Sequence, residues 1–335
     1  MIRLDKVKQI IPINEVDINA DLFEAKRLNK NNRLVYELKE NTPKPLGISY
    51  IEYDDYEVKI EYSGKVLKSN YYDLIHFNNV DLIVSALEDA NMMSLKVDSL
   101  LSSPVIKTDN TQNIHVGKLD SKLAQNPLDC VNLLTMIPKQ QKYTIMTHTA
   151  PTNIGIDIKK QLKKGSRRLI GYGKRVELEH KNDRVLDYIN IEDFNDVIRF
   201  EASTNTFKQI RDYYDVKDLS LGSILQAKNR PLDTYFKDYT KSIDKMKTTN
   251  INSDIKYAQI QKLVFIRTTL NEHNNNLDSI RAWLLYNNYC HRSNISRYMK
   301  QFESVLLNDE QYKMGSDLKE YKALINSIGN ELRYK

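Results

Sequence analysis

The reading of the fold turns on Gly165-Ser166-Arg167-Arg168-Leu169-Ile170-Gly171-Tyr172-Gly173-Lys174-Arg175-Val176-Glu177 and, about twenty residues later, Val197-Ile198-Arg199-Phe200-Glu201. Both pieces are short and mix β-branched, aromatic and charged residues, which predicts strands over Arg167–Lys174 and Val197–Ser203. Side chains alternate along a strand, so Ile170, Tyr172 and Lys174 are expected on one face. A further strand is predicted upstream, over Lys142–His148, and a helix downstream, from Thr206 into Tyr214.

The first hundred residues carry a similar layout. Arg33–Leu38, Leu46–Ile51 and Tyr56–Tyr62 are β-rich runs separated by Pro43, Pro45 and Asp54-Asp55, which suggests a meander. Val80, Ile83, Val84, Leu87 and Ala90 follow helical spacing, so a helix is expected over Val80–Met93 with Asn78 or Asn79 as its cap. A strand over Pro104–Val116 returns the chain to the sheet. No sequence repeat is visible between the two parts. The fold class expected is α+β, an antiparallel sheet flanked by helices, followed by an all-α C-terminal region. Strand signals stop after Asp218, and Leu219–Lys228, Leu232–Met246, Ile255–Asn271, Leu277–Tyr286, Ser293–Leu306 and Asp317–Leu332 read as amphipathic helices. The expected division is therefore 1–217 and 218–335.

The chain of 335 residues is long enough to bury a core without disulfides. Cys130 and Cys290 belong to no paired or metal-binding spacing, and no apolar run has the length of a signal peptide or membrane span, so a reducing cytoplasm, that of a bacterial host, is the expected location. Overall charge is modest, 50 Lys and Arg against 44 Asp and Glu. Its distribution is more telling: Gly155–Arg184 holds ten basic and four acidic residues, a local excess of +6 that equals the excess of the whole chain. Such a segment attracts polyanions.

These motifs and their order resemble rolling-circle replication initiators of the filamentous-phage and plasmid type. Members share Tyr-Asp-Lys-x-x-Glu on one strand and Arg-x-Glu on a strand soon after; here these are Tyr172-Gly-Lys174-Arg-Val-Glu177 and Arg199-Phe-Glu201. Upstream, Tyr62-Ser-Gly-Lys65, the helix expected at 80–93 and Lys107-Thr-Asp109 match in order, so the resemblance covers roughly residues 56–240. Gly173 replaces the usual Asp, Lys107 stands where Arg is common, and the His-hydrophobic-His pair of many related endonucleases is absent. The resemblance implies a Rep-like fold and site-specific nicking and joining of a single strand at a phage or plasmid origin. It also implies a 5′-phosphotyrosine intermediate and DNA as partner, with a host helicase or polymerase alongside.

The residues allow that chemistry. Tyr172 is the expected nucleophile, with Arg167, Arg168, Lys174 and Arg175 favouring its phenolate, Lys174 contacting the scissile phosphate, and Arg167, Arg168 and Arg175 binding DNA through its phosphates. Hard oxygen ligands suit Mg²⁺ or Mn²⁺, and Asp109 and Glu201 are the leading candidates because each is a carboxylate inside a strand. If residues 107–116 are extended, Asp109, Thr111, Asn113 and His115 share a face, so His115 can add a nitrogen ligand. Glu177 is a further candidate and His148 a weaker one. Near the C-terminus, Leu277–Tyr286 and the segment from His291 suit a helix-turn-helix, offering Arg292, Arg297 and Lys300 to DNA. The alternative readings are a non-catalytic origin-binding protein and a basic interaction protein.

Overall fold

In the computed structural model, residues 1–134, 137, 143–147, 155–161, 166–180, 184–241, 243, 265–266, 269–270, 272–273, 276–287, 289–303 and 318–334 are described. Every residue of β12 (Val197–Thr204) is buried, because it lies deep inside a ten-stranded sheet with strands on both sides and cover on both faces. In sheet order the strands are β3 (Phe23–Leu28), β4 (Leu34–Leu38), β5 (Ile48–Tyr53), β6 (Glu57–Ser63), β1 (Leu4–Pro12), β8 (Val105–His115), β12, β11 (Ser166–Gly173), β10 (Gly155–Gln161) and β9 (Tyr143–Thr147). Every neighbouring pair is antiparallel. A small second sheet joins β2 (Val16–Ile18) to β7 (Met93–Leu95), and helices α2 (Val97–Ser102) and α3 (Pro127–Leu133) precede and follow β8 in the chain. The protein is thus a mixed α+β structure built on one large antiparallel sheet, with further helices toward the C-terminus.

The strand order is symmetric about the β1/β8 junction: from the centre outward it reads β6, β5, β4, β3 on one side and β12, β11, β10, β9 on the other. Each half is one strand followed by a four-stranded meander whose last strand returns beside the first. The registers align the halves residue by residue. Ser63 pairs with Lys6 as Ser203 pairs with Asp109, and Glu61 pairs with Lys8 as Glu201 pairs with Thr111. The repeat that sequence reading alone did not find is therefore Val58-Lys59-Ile60-Glu61-Tyr62-Ser63 against Ile198-Arg199-Phe200-Glu201-Ala202-Ser203. It conserves the pattern of charge and apolarity more than identity.

One sheet face is apolar and covered by helices. Leu4, Val7, Ile11, Val58, Ile60 and Tyr62 pack with Ile83, Val84 and Leu87 of α1 (Asp81–Asp89), Ile210 and Tyr214 of α5 (Phe207–Tyr214), and Ile224 of α6 (Leu221–Leu225). Each such aliphatic side chain contributes roughly 1.5–3 kcal/mol when taken out of water. Farther along the same face, Phe236 of α7 (Pro231–Thr240) meets Phe200 edge-on at 5.8 Å. α1 is shorter than its sequence predicts because Asn91, with φ 52°, turns the chain into β7. The other face is partly open, covered near β12 by the 3₁₀ segment Gly64–Asp73 and by α4 (Lys174–His180). Tyr71, Leu178, Val185, Phe194 and Val197 form a small separate core there.

Contacts divide the chain into Met1–Lys241 with Leu324–Lys335, and Ser242–Ala323. The boundary expected at 217/218 falls inside the first unit, since Leu221, Ile224 and Leu225 just beyond it are part of the sheet's core. In the second unit, helix Leu277–Tyr286 and a helix at 295–303 share a core of Ile266, Leu270, Ile280, Leu284, Met299 and Phe302. Most of the helix expected over 255–271 lies outside the described residues, as does His148. Among the described residues, no helix is long and apolar enough to cross a membrane.

Candidate active site

Register dictates which side chains meet on the open face. Asn113, Arg199 and Tyr172 form one row across β8, β12 and β11; Thr111, Glu201 and Ile170 form the next; Asp109, Ser203 and Arg168 the third. β1 adds to the third row through an irregularity. Leu4 pairs with Asn110 and Lys6 with Asp109, so Asp5 is an extra residue between them. A bulge of this kind re-aims side chains, and here Asp5 and Lys6 both line the pocket. Asp109, Glu201, Tyr172, Lys174, Glu177 and Tyr71 complete its interior, Lys44, Lys65 and Arg184 stand among its outer residues, and the cavity measures about 480 Å³.

Tyr172 is 8 % exposed, and its hydroxyl donates to Oε1 of Glu201. Burial, then the Glu201 carboxylate, push the phenol well above its ordinary value, against the pull of Arg199. Glu201 is raised to about 7 by burial and by the nearby carboxylates of Asp5 and Asp109. Burial also raises Asp109, whose Oδ1 is buried without a hydrogen-bond partner. Arg199, fully buried, anchors the group: Nε donates to Asn113 Oδ1 at 2.9 Å, Nη1 donates to the Tyr71 hydroxyl at 2.8 Å and lies 3.4 Å from Asp5 Oδ1. Its charge balances in part the carboxylates that crowd the same face.

Lys174 does not extend the tyrosine strand as the sequence predicts. β11 stops at Gly173, and Lys174 opens α4, where Lys-Arg-Val-Glu-Leu-Glu gains i,i+3 and i,i+4 ion pairs. Lys174 Nζ is 2.6 Å from Glu177 Oε2 and 5.5 Å from the centre of the Tyr172 ring. Burial, then Arg199, lower its pKa. Glu177 thus sits on a helix, tied to Lys174.

Three arginines of the basic segment, Arg167, Arg168 and Arg175, are held elsewhere. Arg168 lies against Asp157, which is 2 % exposed, at 2.8 Å. Arg167 and Lys160 both pair with Asp238, and Arg167 also donates to Tyr213. Arg175 pairs with Glu179 and Glu192. None of the three is the source of a field favouring the Tyr172 phenolate, whose net shift is upward. His115 shares the face of Asp109 but is six residues along the strand, about 20 Å away. Its Nε2 is 2.7 Å from the Tyr72 hydroxyl, so the two residues cannot share one ion. Arg292, Arg297 and Lys300 are exposed on the second unit.

Sequence reading missed Asp5, Lys6 and Tyr71. Among the described residues no three His, Cys, Asp or Glu side chains are arranged to hold a metal ion by themselves. The donor set suits Mg²⁺ or Mn²⁺, which bind through one or two carboxylates plus water and substrate phosphate; the Oδ1 of Asp109, buried without a hydrogen-bond partner, is one oxygen such an ion could take. A phenol hydrogen-bonded to a carboxylate of near-neutral pKa has a proton acceptor in place, an arrangement that chemistry at the phenol oxygen would need. A scan of protein-family models finds none that matches this chain, and a search of curated proteins finds no match.

Proposed function

We propose that the chain nicks and rejoins single-stranded DNA through Tyr172, as an initiator of rolling-circle replication of a phage or plasmid. What supports this reading best is the hydrogen bond from the Tyr172 hydroxyl to the buried Glu201 carboxylate, in a pocket that also holds Asp5, Asp109 and the cations Lys6, Lys44 and Arg184. With its phenol pKa raised, Tyr172 rests protonated and loses its proton to Glu201 as Oη attacks phosphorus. The Oη–P bond forms as the bond from phosphorus to the 3′ oxygen breaks; the 3′ oxygen takes a proton from water and the 5′ phosphate stays on the tyrosine. One phosphodiester replaces another, so rejoining needs no ATP. Asp109 and Asp5 would hold Mg²⁺ or Mn²⁺, whose chemistry when bound is to neutralise charge on the non-bridging oxygens. Glu201, expected from sequence as a ligand, serves in this reading as the base.

The test is incubation of the full chain with labelled random-sequence single-stranded DNA and Mn²⁺, followed by a denaturing gel. Wild type should form an SDS-stable adduct and Tyr172→Phe should not. Binding without any adduct would favour the second reading, an origin-binding protein, for which the exposed Arg292, Arg297 and Lys300 speak.

A further inference from the structure

On the open face, the row beside Lys6 and Asp109 runs Tyr50, Glu61, Lys8, Lys107 across β5, β6, β1 and β8. Lys8 and Lys107 are directly opposed, and like charges so placed weaken a sheet. No ion pair within 4 Å involves either among the described residues. The one acid in the row, Glu61, is already taken, with Lys6 Nζ at 2.9 Å from its Oε1. Lys8 Nζ stands 4.2 Å from the centre of the Tyr50 ring, a cation over an aromatic face. All four side chains of the row are half-buried at the open surface.

The internal duplication supplies a control. The matching row of the second half is Ile170, Glu201, Thr111 and contains no cation. At the place of Asp109 the first half has Lys6, at that of Thr111 it has Lys8, and at that of Tyr172 it has Glu52, paired with Lys59 at 3.2 Å. The two halves are built alike and charged differently: the second gathers carboxylates around a tyrosine, the first sets lysines on an open face leading away from the same pocket.

We propose that Lys8 and Lys107, with Lys6 between them and the pocket, bind the phosphates of a single strand of nucleic acid as it leaves the pocket across the first half of the sheet. The identity of the strand rests on the nicking reading above. Charge supports the assignment, since Lys8 and Lys107 against Glu61 leave a net +1 on the row, and Glu61 is already paired with Lys6. So does continuity, since Lys6 belongs to the pocket and to this face.

The experiment is anisotropy of fluorescein-labelled random-sequence single-stranded DNA bound to the full chain, in chelator and over a range of salt, for wild type and Lys8→Gln/Lys107→Gln. Relief of the opposed charges should leave the melting temperature equal or higher. Affinity should fall about tenfold at low salt and the slope of log K against log salt should become shallower by about 1.4, the value for two phosphates of a single strand. The single variant Lys107→Gln should give about half that change in slope. Affinity and slope equal to wild type in both variants would overturn the proposal, as would binding of wild type to phosphatidylserine vesicles and to no oligonucleotide. If the slope changes as expected while wild type never forms an adduct, the nicking reading falls and the phosphate track stands; an adduct with an unchanged slope means the reverse.

Discussion

The Tyr172 hydroxyl donates to the Glu201 carboxylate from the neighbouring strand, and the same carboxylate is crowded by Asp5 and Asp109. One contact therefore sets both the proton acceptor of the proposed nucleophile and the electrostatic cost of the pocket. Position along β11 and β12 alone makes this possible: Tyr172 pairs with Arg199, and Glu201 is the next residue on that face.

That crowding should show in stability. An acid whose folded-state pKa is raised contributes its full stability below the ordinary glutamate value and loses it as pH rises through the folded value, here about 7. In chelator, wild type should lose on the order of 3 kcal/mol between pH 4.5 and 8 from this group. Glu201→Gln should flatten the profile and be the more stable protein at pH 8, measured by urea unfolding at each pH. Mn²⁺ should recover part of the loss in wild type and less after Asp109→Asn. A wild-type profile as flat as that of the glutamine variant would remove the buried charge from the account.

Gly155 sits against the backbone of Tyr172. A Cβ there would lie 2.2 Å from Gly171 O and 2.5 Å from Tyr172 Cβ, so Gly155→Ala must push β10 from β11. The expected cost is about 1–3 kcal/mol, with adduct formation slowed although no polar group of the site has changed. Thermal unfolding and single-turnover adduct assays read the two effects.

Arg168 should behave as a structural residue, not a DNA contact. Arg168→Gln leaves the buried Asp157 unpaired, which costs about 3 kcal/mol, while the salt slope of DNA binding stays at the wild-type value. A slope shallower by about 0.7, the value for one phosphate on a single strand, would return Arg168 to the phosphate-binding role its sequence suggests.

Arg292→Ala/Arg297→Ala should lower preference among duplex sequences, measured by selection from a random duplex pool, and leave single-strand adduct formation unchanged. Loss of the adduct instead would tie the second unit to the chemistry.

Much of the sheet is legible in the sequence because β5, β6, β8, β11 and β12 combine β-branched and aromatic residues with clear breaks. β1 is not, for two physical reasons. The bulge at Asp5 interrupts its alternation, and one of its inward positions holds Gln9, fully buried and satisfied by donating to Leu100 O at 3.0 Å and Ser103 O at 3.1 Å. With β1 went Asp5 and Lys6. The charged residues of 155–184 are visible in the sequence but their partners are not, since Arg167 meets Asp238 from 71 positions away. The repeat between 58–63 and 198–203 emerges only when register aligns the two halves. Tyr172, Lys174, Glu177, Glu201 and Asp109, named from sequence, do line one pocket; His115 and the arginines do not.

The central claim is that Tyr172 carries the DNA, and peptide mapping of the adduct tests it most directly. After reaction with single-stranded DNA and Mn²⁺, nuclease and trypsin digestion should yield the peptide Leu169-Ile170-Gly171-Tyr172-Gly173-Lys174, which contains a single tyrosine, with a nucleotide phosphate on that residue by mass spectrometry. A nucleotide on any other peptide, with Leu169–Lys174 recovered unmodified, would contradict the account.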